Sequence, residues 1–355
     1  MTKRIFNFSA GPAVLPEPVL EEARDNLLSL GDAGAGICEV SHRSAEYTEI
    51  HHDAMARIKR LLGAEHGYEQ LFLQGGASTQ FFQVPMNLGG DADYVLTGTW
   101  AKKAYAEAKR FGKPRVAASS EPTNFDRIPG ELDLNPGARY LHLTSNNTVA
   151  GTQWHAWPQA EAPLVIDMSS DILSRPVDLR NVGLIYAGAQ KNLGPAGVTL
   201  VLIREDLLAK CSTDLPTMLR YDIHAKEGSR YNTPPTFAIY VVGLVAKWIE
   251  AQGGLEAMAE KNQRKASLLY ACIDRHELYR GATTADSRSL MNVTFRLTSE
   301  ELEQELINEA EAKGLSGLAG HRSVGGLRAS IYNAMPEAGV KALVDLMDDF
   351  ARRKG

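Results

Sequence analysis

Cysteine is scarce in this 355-residue chain: Cys38, Cys211 and Cys272 are widely spaced and form no CxxC pair. An odd, scattered set argues against a disulfide framework or a cysteine zinc site and points to a reducing compartment. Positive charge is also short. Lys and Arg number 38 against 43 Asp and Glu, a net charge of −5, so neither a nucleic-acid footprint nor an anionic membrane partner is expected. Long apolar runs are missing. The longest, AIYVVGLVAKWI from Ala238, falls well short of the roughly 20 residues of a membrane span and contains Lys247. The opening MTKRIFNFSAGPAVLP has no apolar h-region, so no secretory leader is expected and the chain reads as cytoplasmic. His51-His52 has no third ligand at metal spacing, and no metal is expected. There is no internal repeat and no low-complexity linker.

What is present is an ordinary soluble composition, 44% hydrophobic and 23% charged, at a length that suits about two domains. After a Pro- and Gly-rich arm, helical periodicity runs over about 18–30 and again over 45–62. Strands and helices then alternate. YEQLFL leads to Gly75-Gly76 and a helix from about Ser78; DYVLTG leads to a helix over 101–111; RYLHLT, PLVIDM, VGLIYA and VTLVLI are further apolar strands. Alternation of this kind predicts a largely parallel sheet covered on both faces. From about Pro235 the pattern changes to two long helices, over 235–252 and 254–274. The strand LMNVTFRL, a helix opening at Ser299 with Leu302 where a capping box has Glu, the strand LRASIYN and a terminal helix follow. The expected organisation is an arm over 1–15, a large α/β domain over 16–255 and a smaller C-terminal α+β domain over 256–355.

The segment IYAGAQKNLGPAG, from Ile185 to Gly197, sets one lysine, Lys191, among small residues just past an apolar strand. Open α/β sheets bind ligands at such carboxyl ends, and a desolvated lysine is a nucleophile that can condense with an aldehyde. Taken alone, the segment fits a structural lysine at a strand end equally well. VIDMSSD places Asp167 at the end of another strand. A carboxylate there wants a cationic partner, such as a pyridinium N–H, or else caps its loop through Ser169 and Ser170. Lysine and aspartate on two strand ends favour the pyridoxal reading. QGGASTQ follows a strand and opens a helix, so the N–H groups of Ala77 and Ser78 suit a phosphate, although a plain β–α turn explains Gly-Gly as well. Trp100 follows a strand and suits either ring stacking or core packing; Thr148 alone says nothing. His42-Arg43, and His321-Arg322 with Arg328, could hold a substrate bearing both a phosphate and a carboxylate, or be exposed loop charges.

Together SAGPAVLP, EVSHRS, the Gly-Gly turn, GTW, IDMSSDILSRP, IYAGAQKNLGPAG, YNTPPTFAIY and GHRSVGGLRASIYNAMP resemble the phosphoserine aminotransferase family of class-V, fold-type I enzymes, from Phe6 to Arg352. The resemblance implies pyridoxal 5'-phosphate as cofactor. Lys191 would bind it covalently, Asp167 would face its ring nitrogen, Trp100 would stack on the ring and Thr148 would contact its phenolic oxygen. Ala77, Ser78 and Gln190 would bind its phosphate. Asn232 and Thr233, in YNTPPT, would reach that phosphate from the neighbouring subunit of a homodimer. Arg43 would contact substrate, with His42, His321 and Arg322 around its distal acidic group and Arg328 on the α-carboxylate. The implied substrates are glutamate, phosphoserine and phosphorylated keto acids, in serine synthesis and also in pyridoxine synthesis. Some relatives carry GGGRGQF where this chain has GGASTQF, so Ser78 stands in place of an arginine that can help hold the distal charge. Three rivals share the chemistry: a cysteine desulfurase, for which the loop around Gly320 lacks a cysteine; a small-acid transaminase, which has no use for doubled His-Arg sites; and a pyridoxal-binding protein without a half-reaction.

Overall fold

The computed structural model describes residues 4–355. In chain order the elements are β1 (Phe6–Asn7), α1 (Glu17–Asp25), α2 (Ala45–Leu62), β2 (Tyr68–Leu73), α3 (Gly76–Leu88), β3 (Asp93–Leu96), α4 (Thr99–Ala108), β4 (Arg115–Ser119) and β5 (Leu141–Thr144). Then come β6 (Leu164–Asp167), β7 (Val182–Gly188), β8 (Thr199–Arg204), α5 (Glu205–Leu208), α6 (Tyr221–Lys226), α7 (Thr236–Ala251) and α8 (Gly254–Arg275). The last are β9 (Tyr279–Gly281), β10 (Asn292–Leu297), α9 (Glu300–Ala312), β11 (Leu315–Ser316), β12 (Leu327–Ser330) and α10 (Glu337–Lys354).

Seven strands form one sheet in the order β2-β8-β7-β6-β5-β3-β4. Every pairing is parallel except those of β8, which runs against both β2 and β7. The central strands read as unbroken apolar runs because both faces are covered. Ile185, Ala187, Leu200 and Leu202 point into one core, and Leu184, Tyr186, Val201 and Ile203 into the other. The first core is closed by α2 and α7, whose Gly243 backbone rides against Ala54; a Cβ at Gly243 would lie 3.0 Å from the Ala54 Cβ. The second is closed by α3 and α4 through Phe81, Val84, Ala101 and Ala104. Ser44 caps α2 by accepting from the Tyr47 N–H, and Gly63 ends it with φ 65°.

The C-terminal part is an antiparallel sheet, β12-β10-β9, packed by α8, α9 and α10 around a third core. Ser299 caps α9 by accepting from the Leu302 N–H, with no reciprocal Glu. Residues 6–8 belong here too. β1 pairs in parallel with β11, and Phe8 is fully buried in this core. The arm then crosses to the large sheet, where the Ala13 N–H donates to Gln190 O at 2.9 Å. Helix α8 feeds both sides: Leu255 and Met258 lie in the first core, Ala266 and Leu269 in the third. Among the described residues no helix is long and apolar enough to cross a membrane.

Sequence and structure differ at polar margins. The first helix stops at Asp25 rather than Leu30, because the Asn26 side chain turns back onto Glu22 O and its carbonyl accepts the Ile37 N–H. Helix α4 starts at Thr99 and ends at Ala108, two to three residues before the expected limits of 101–111. Strand β4, RVAAS, carries no apolar run; it is an edge strand with Arg115 and Val116 exposed, so periodicity is silent there.

Candidate active site

Five strands deliver their carboxyl ends to one edge of the large sheet. β6 ends on Asp167 itself, and β7 ends at Gly188, three residues before Lys191. β2 leads through Gly75, with φ 93°, into the first turn of α3, where Ala77 and Ser78 lie. β3 leads into α4, whose second residue is Trp100. β5 leads to the turn 147–151, closed by the Gly151 N–H on Asn147 O at 2.8 Å, which carries Thr148. This is where a parallel sheet concentrates unpaired backbone groups and helix N-termini.

Lys191 is the centre of the arrangement. Among the described residues its Nζ has no hydrogen-bond partner, and it lies 5.6 Å from the centroid of the Trp100 ring. The protein packed around the amine desolvates it and pushes its pKa down from 10.5 to about 8; the charges of Asp167 and Asp171 oppose that fall, and that of Arg328 adds to it. The arm passes closely: a Cβ at Gly11 would lie 3.3 Å from Lys191 Cγ. Asp167 is buried. Burial pushes its carboxyl upward, opposed by hydrogen bonds from Ser169 and by the Lys191 charge. Its Oδ1 accepts from both the Ser169 N–H (3.0 Å) and the Ser169 hydroxyl (2.7 Å), so the loop-capping role and an outward-facing role coexist in one side chain. Oδ2 has no hydrogen-bond partner among the described residues. The Ser169 hydroxyl also takes the Gly188 N–H at 3.1 Å, tying β6 to β7.

Trp100 Nε1 donates to Thr148 Oγ1 at 3.1 Å, which fixes the indole plane against the turn. The Thr148 carbonyl accepts from Arg328 Nη1 at 3.0 Å, although 180 residues separate them. Arg328 Nε is buried without a partner, a donor held ready in the cleft wall. At the other end, Gly188, Ala77 and Gln190 converge. A Cβ at Gly188 would lie 2.8 Å from Gln190 Oε1 and 3.5 Å from the Ala77 nitrogen, so only glycine leaves that cradle open. The N–H groups of Gly76, Ala77 and Ser78 are the uncommitted first donors of α3.

A cleft of about 740 Å³ opens from Trp100 between the two sheets, and Arg280, Arg296, His321 and Arg328 contribute to its wall. Burial lowers the His321 pKa, and the charges of Arg328, Arg322 and Lys103 lower it further, so three cations face one imidazole. Lys103, one turn beyond Trp100 on α4, holds its Nζ 4.7 Å from the centroid of that ring. Lys103, Arg280 and Arg296 were not singled out from sequence; the i,i+3 spacing of Trp100 and Lys103 was the available signal for the first of them.

The structure thus brings Lys191, Asp167, Trp100, Thr148, Ala77, Ser78, Gln190 and Arg328 to one sheet edge, with His321 in the cleft beside them. Arg322 reaches that group through its charge on His321. His42 and Arg43 lie in an exposed loop before α2, in contact with each other at 3.4 Å (Arg43 Nε to His42 Nε2). Asn232 and Thr233 lie on the loop before α7, where Asn232 Nδ2 reaches Thr233 O at 3.3 Å. Among the described residues no hydrogen bond joins either pair to the Lys191 group. The three cysteines are unpaired. Cys272 is buried in α8 with its thiol pushed up to about 12, no position for a nucleophile. It lies beside His276 and Asp348, but Asp348 Oδ1 already receives the His276 ring nitrogen and the Arg275 guanidinium.

The chain matches the family model "Aminotransferase class-V" over residues 5–343. It is 56% identical over 361 residues to the phosphoserine aminotransferase of Desulfosudis oleivorans, covering all of both chains. The solved phosphoserine aminotransferase of Bacillus circulans subsp. alkalophilus superposes with a TM-score of 0.97 at 55% identity, over 99% of each chain. The pyridoxal phosphate-bound phosphoserine aminotransferase of Trichomonas vaginalis superposes with a TM-score of 0.94 at 39% identity, over 97% of this chain and 100% of that one.

Proposed function

This chain belongs to the class-V aminotransferase family, and from that membership we propose how its side chains divide the work of the reaction. It is a pyridoxal phosphate-dependent transaminase that exchanges an amino group between glutamate and 3-phosphohydroxypyruvate, giving 2-oxoglutarate and O-phosphoserine. Pyridoxal phosphate supplies, when bound, an aldehyde and an electron-withdrawing ring. The residues present suit it: a glycine cradle at Gly188, uncommitted helix N–H groups, a carboxylate oxygen without a partner among the described residues and an amine whose pKa burial lowers stand on one edge. The observation that carries the assignment of roles is the Lys191 amine itself, desolvated, without a hydrogen-bond partner among the described residues, and beside the Asp167 charge and the Trp100 ring.

In this division Ala77 and Ser78, through their N–H groups, and the Gln190 side chain bind the cofactor phosphate. Trp100 covers the ring, and Thr148 reaches its phenolic oxygen while holding the indole. Asp167 would pair with the ring nitrogen and favour its protonated form, its Oδ1 being held by Ser169. Lys191 would hold the cofactor through its aldehyde, and its free amine would act as the general base and acid that moves the proton at the substrate α-carbon. Arg328 binds the α-carboxylate with Nε and Nη2, its Nη1 being committed to Thr148 O. His321 and Arg322, with His42 and Arg43, take the distal anion. Asn232 and Thr233 act from the partner subunit of a homodimer, which makes the site complete only in the dimer. The arm 1–15, the large domain 16–255 and the small domain 256–355 follow the same reading, with a cytoplasmic enzyme as the whole. A second phosphorylated substrate, 4-phosphohydroxythreonine of pyridoxine synthesis, carries the same two anionic groups and fits the same pocket.

The test is a half-reaction screen. The yellow enzyme is mixed in turn with phosphoserine, glutamate, 4-phosphohydroxythreonine, alanine and cysteine while its visible absorbance is followed. Bleaching by the first three and not by the last two is expected. Bleaching by alanine or cysteine as fast as by phosphoserine overturns the reading of the distal anion site, and an inert 4-phosphohydroxythreonine overturns the second-substrate part. Glutamate's side-chain carboxylate and the phosphate are taken to share one cationic pocket, so Arg43→Ala should weaken both; loss of only one refutes the sharing. Sedimentation equilibrium decides the dimer.

A further inference from the structure

The turn after Asp167 is built in a way that none of these roles requires. Leu173 is fully buried and has φ 58°, the left-handed region that a branched residue avoids. In that conformation three successive carbonyls each meet an asparagine from a different part of the chain. Ile172 O accepts from Asn192 Nδ2 (2.6 Å), Leu173 O from Asn333 Nδ2 (2.8 Å) and Ser174 O from Asn262 Nδ2 (3.1 Å). The asparagines are also bonded to one another. The Asn333 N–H donates to Asn192 Oδ1 at 3.0 Å, and Asn262 Nδ2 to Asn333 Oδ1 at 2.8 Å. All three are buried.

Each asparagine is next to something that matters. Asn192 follows Lys191 directly. Asn333 lies five residues beyond Arg328, just past the end of β12. Asn262 is on α8, and Lys265, one turn on along the same face, points its amine at the same segment. Lys265 Nζ donates to Ile331 O (2.9 Å), Tyr332 O (2.7 Å) and Met335 O (3.2 Å), three donors for three acceptors in a buried site. The turn 172–174 is continuous with Asp167 through Ser169. A nearly saturated buried network of this kind has one good arrangement, because any shift strands polar groups away from water.

We propose that Asn192, Asn333 and Asn262 form a positioning node that sets Lys191, Asp167 and Arg328 at fixed separations across the junction of the two sheets. They are positioning residues: none is placed against substrate or cofactor. The node rests on the functional reading above, since its purpose is to hold the α-carboxylate grip of Arg328 over the amine that moves the proton. Arg328 lies on a different sheet from the other two; its own bond to Thr148 O crosses the junction at one point, and α8 with the segment 331–335 ties the far end of β12 to the turn 172–174 at another.

The experiment uses the holoenzyme with Asn192→Ala, Asn333→Ala and the double variant. Single-turnover bleaching with glutamate gives a saturating rate and a half-saturating concentration. A pH titration of the resting enzyme's visible absorbance reports the surroundings of Lys191 without turnover. Each single variant is expected to lower the saturating rate about ten- to a hundredfold, the range that small misplacements produce. The double variant should add no more than about threefold to the worse single, because both break one network. The pH midpoint of the absorbance should move in all three. Lower melting temperatures with wild-type rates and midpoints overturn the proposal, as do two effects that multiply independently. Should Asn333→Ala not fold, Asn192→Asp serves: it keeps the acceptor for the Asn333 N–H and loses the donor to Ile172 O, and an unchanged rate and midpoint in it overturn the node. A wild-type enzyme inert toward glutamate sinks the functional reading itself, and the node with it, which is a different and recognisable failure.

Discussion

The Lys191 amine gives the sharpest quantitative prediction. In the protein stripped of cofactor, burial takes its pKa from 10.5 to about 8, so at pH 8 half of it is neutral, about 150 times the fraction an ordinary lysine would offer. Competitive labelling with a small acylating reagent across pH, followed by peptide mapping, should give a midpoint near 8 for Lys191. Two substitutions test the causes. Asp167→Asn removes a charge that supports the ammonium form, and should lower the midpoint; Arg328→Gln removes a charge that opposes it, and should raise it. The same displacement sets the sign of a stability effect. The folded state binds this proton less tightly than the unfolded chain, so between pH 8 and 10.5 the unfolded chain holds more protons and folding stability gains from this group as pH rises. The gain over the whole window is about 3 kcal/mol by the usual conversion. A labelling midpoint at 10 or above, or an upward move in Asp167→Asn, would refute the argument from desolvation.

Other outcomes follow from specific contacts. Gly188→Ala puts a Cβ 2.8 Å from Gln190 Oε1 beside the Ala77 N–H; pyridoxal phosphate titrated into the stripped protein should bind about tenfold or more weakly, with folding stability little changed. Lys265→Met leaves the carbonyls of Ile331, Tyr332 and Met335 without donors in a buried site, and urea unfolding should show a loss of about 3 kcal/mol or more. His142 is fully enclosed, stacked on Tyr94 and bonded to the Tyr186 hydroxyl at 2.9 Å, and burial pushes its pKa down to about 3. The unfolded chain binds that proton and the folded chain does not, so stability from this group is complete above pH 6.5 and is lost as pH falls towards 3. About 2 kcal/mol should go between pH 6.5 and 5. His142→Phe should flatten that limb in urea melts at the two pH values, and an unaltered slope would show that His142 does not control it.

How much of this was legible in the chain depends on which residues carry the signal. Strands β5 to β8 announce themselves because covering both faces of a sheet demands unbroken apolar runs, and Asp167 and Lys191 stand at the ends of β6 and β7 or just beyond, as Trp100 does after β3. Helix α2 has a Ser cap and a Gly stop at the limits its periodicity predicts. The edge strand β4 left no trace, since half of it faces water and its residues are small or charged. Nor did alternation reveal that β8 runs against its neighbours: an apolar strand reads the same in either direction.

The order of local chemistry along the chain therefore lay in the sequence: a glycine-framed lysine, an aspartate closing a strand, a helix start able to bind phosphate, and the motifs that carry the family resemblance. These are short-range properties, set by backbone freedom, hydrophobic period and side-chain type. What only the folded chain decided is which of them meet. The bond from Arg328 to the Thr148 carbonyl spans 180 residues, three asparagines from distant segments converge on 172–174, and a lysine three residues beyond Trp100 faces a histidine of the C-terminal part. Such meetings depend on how the C-terminal core docks against those of the large sheet through α8 and the N-terminal arm, and no local pattern encodes a distance between elements so far apart in the chain.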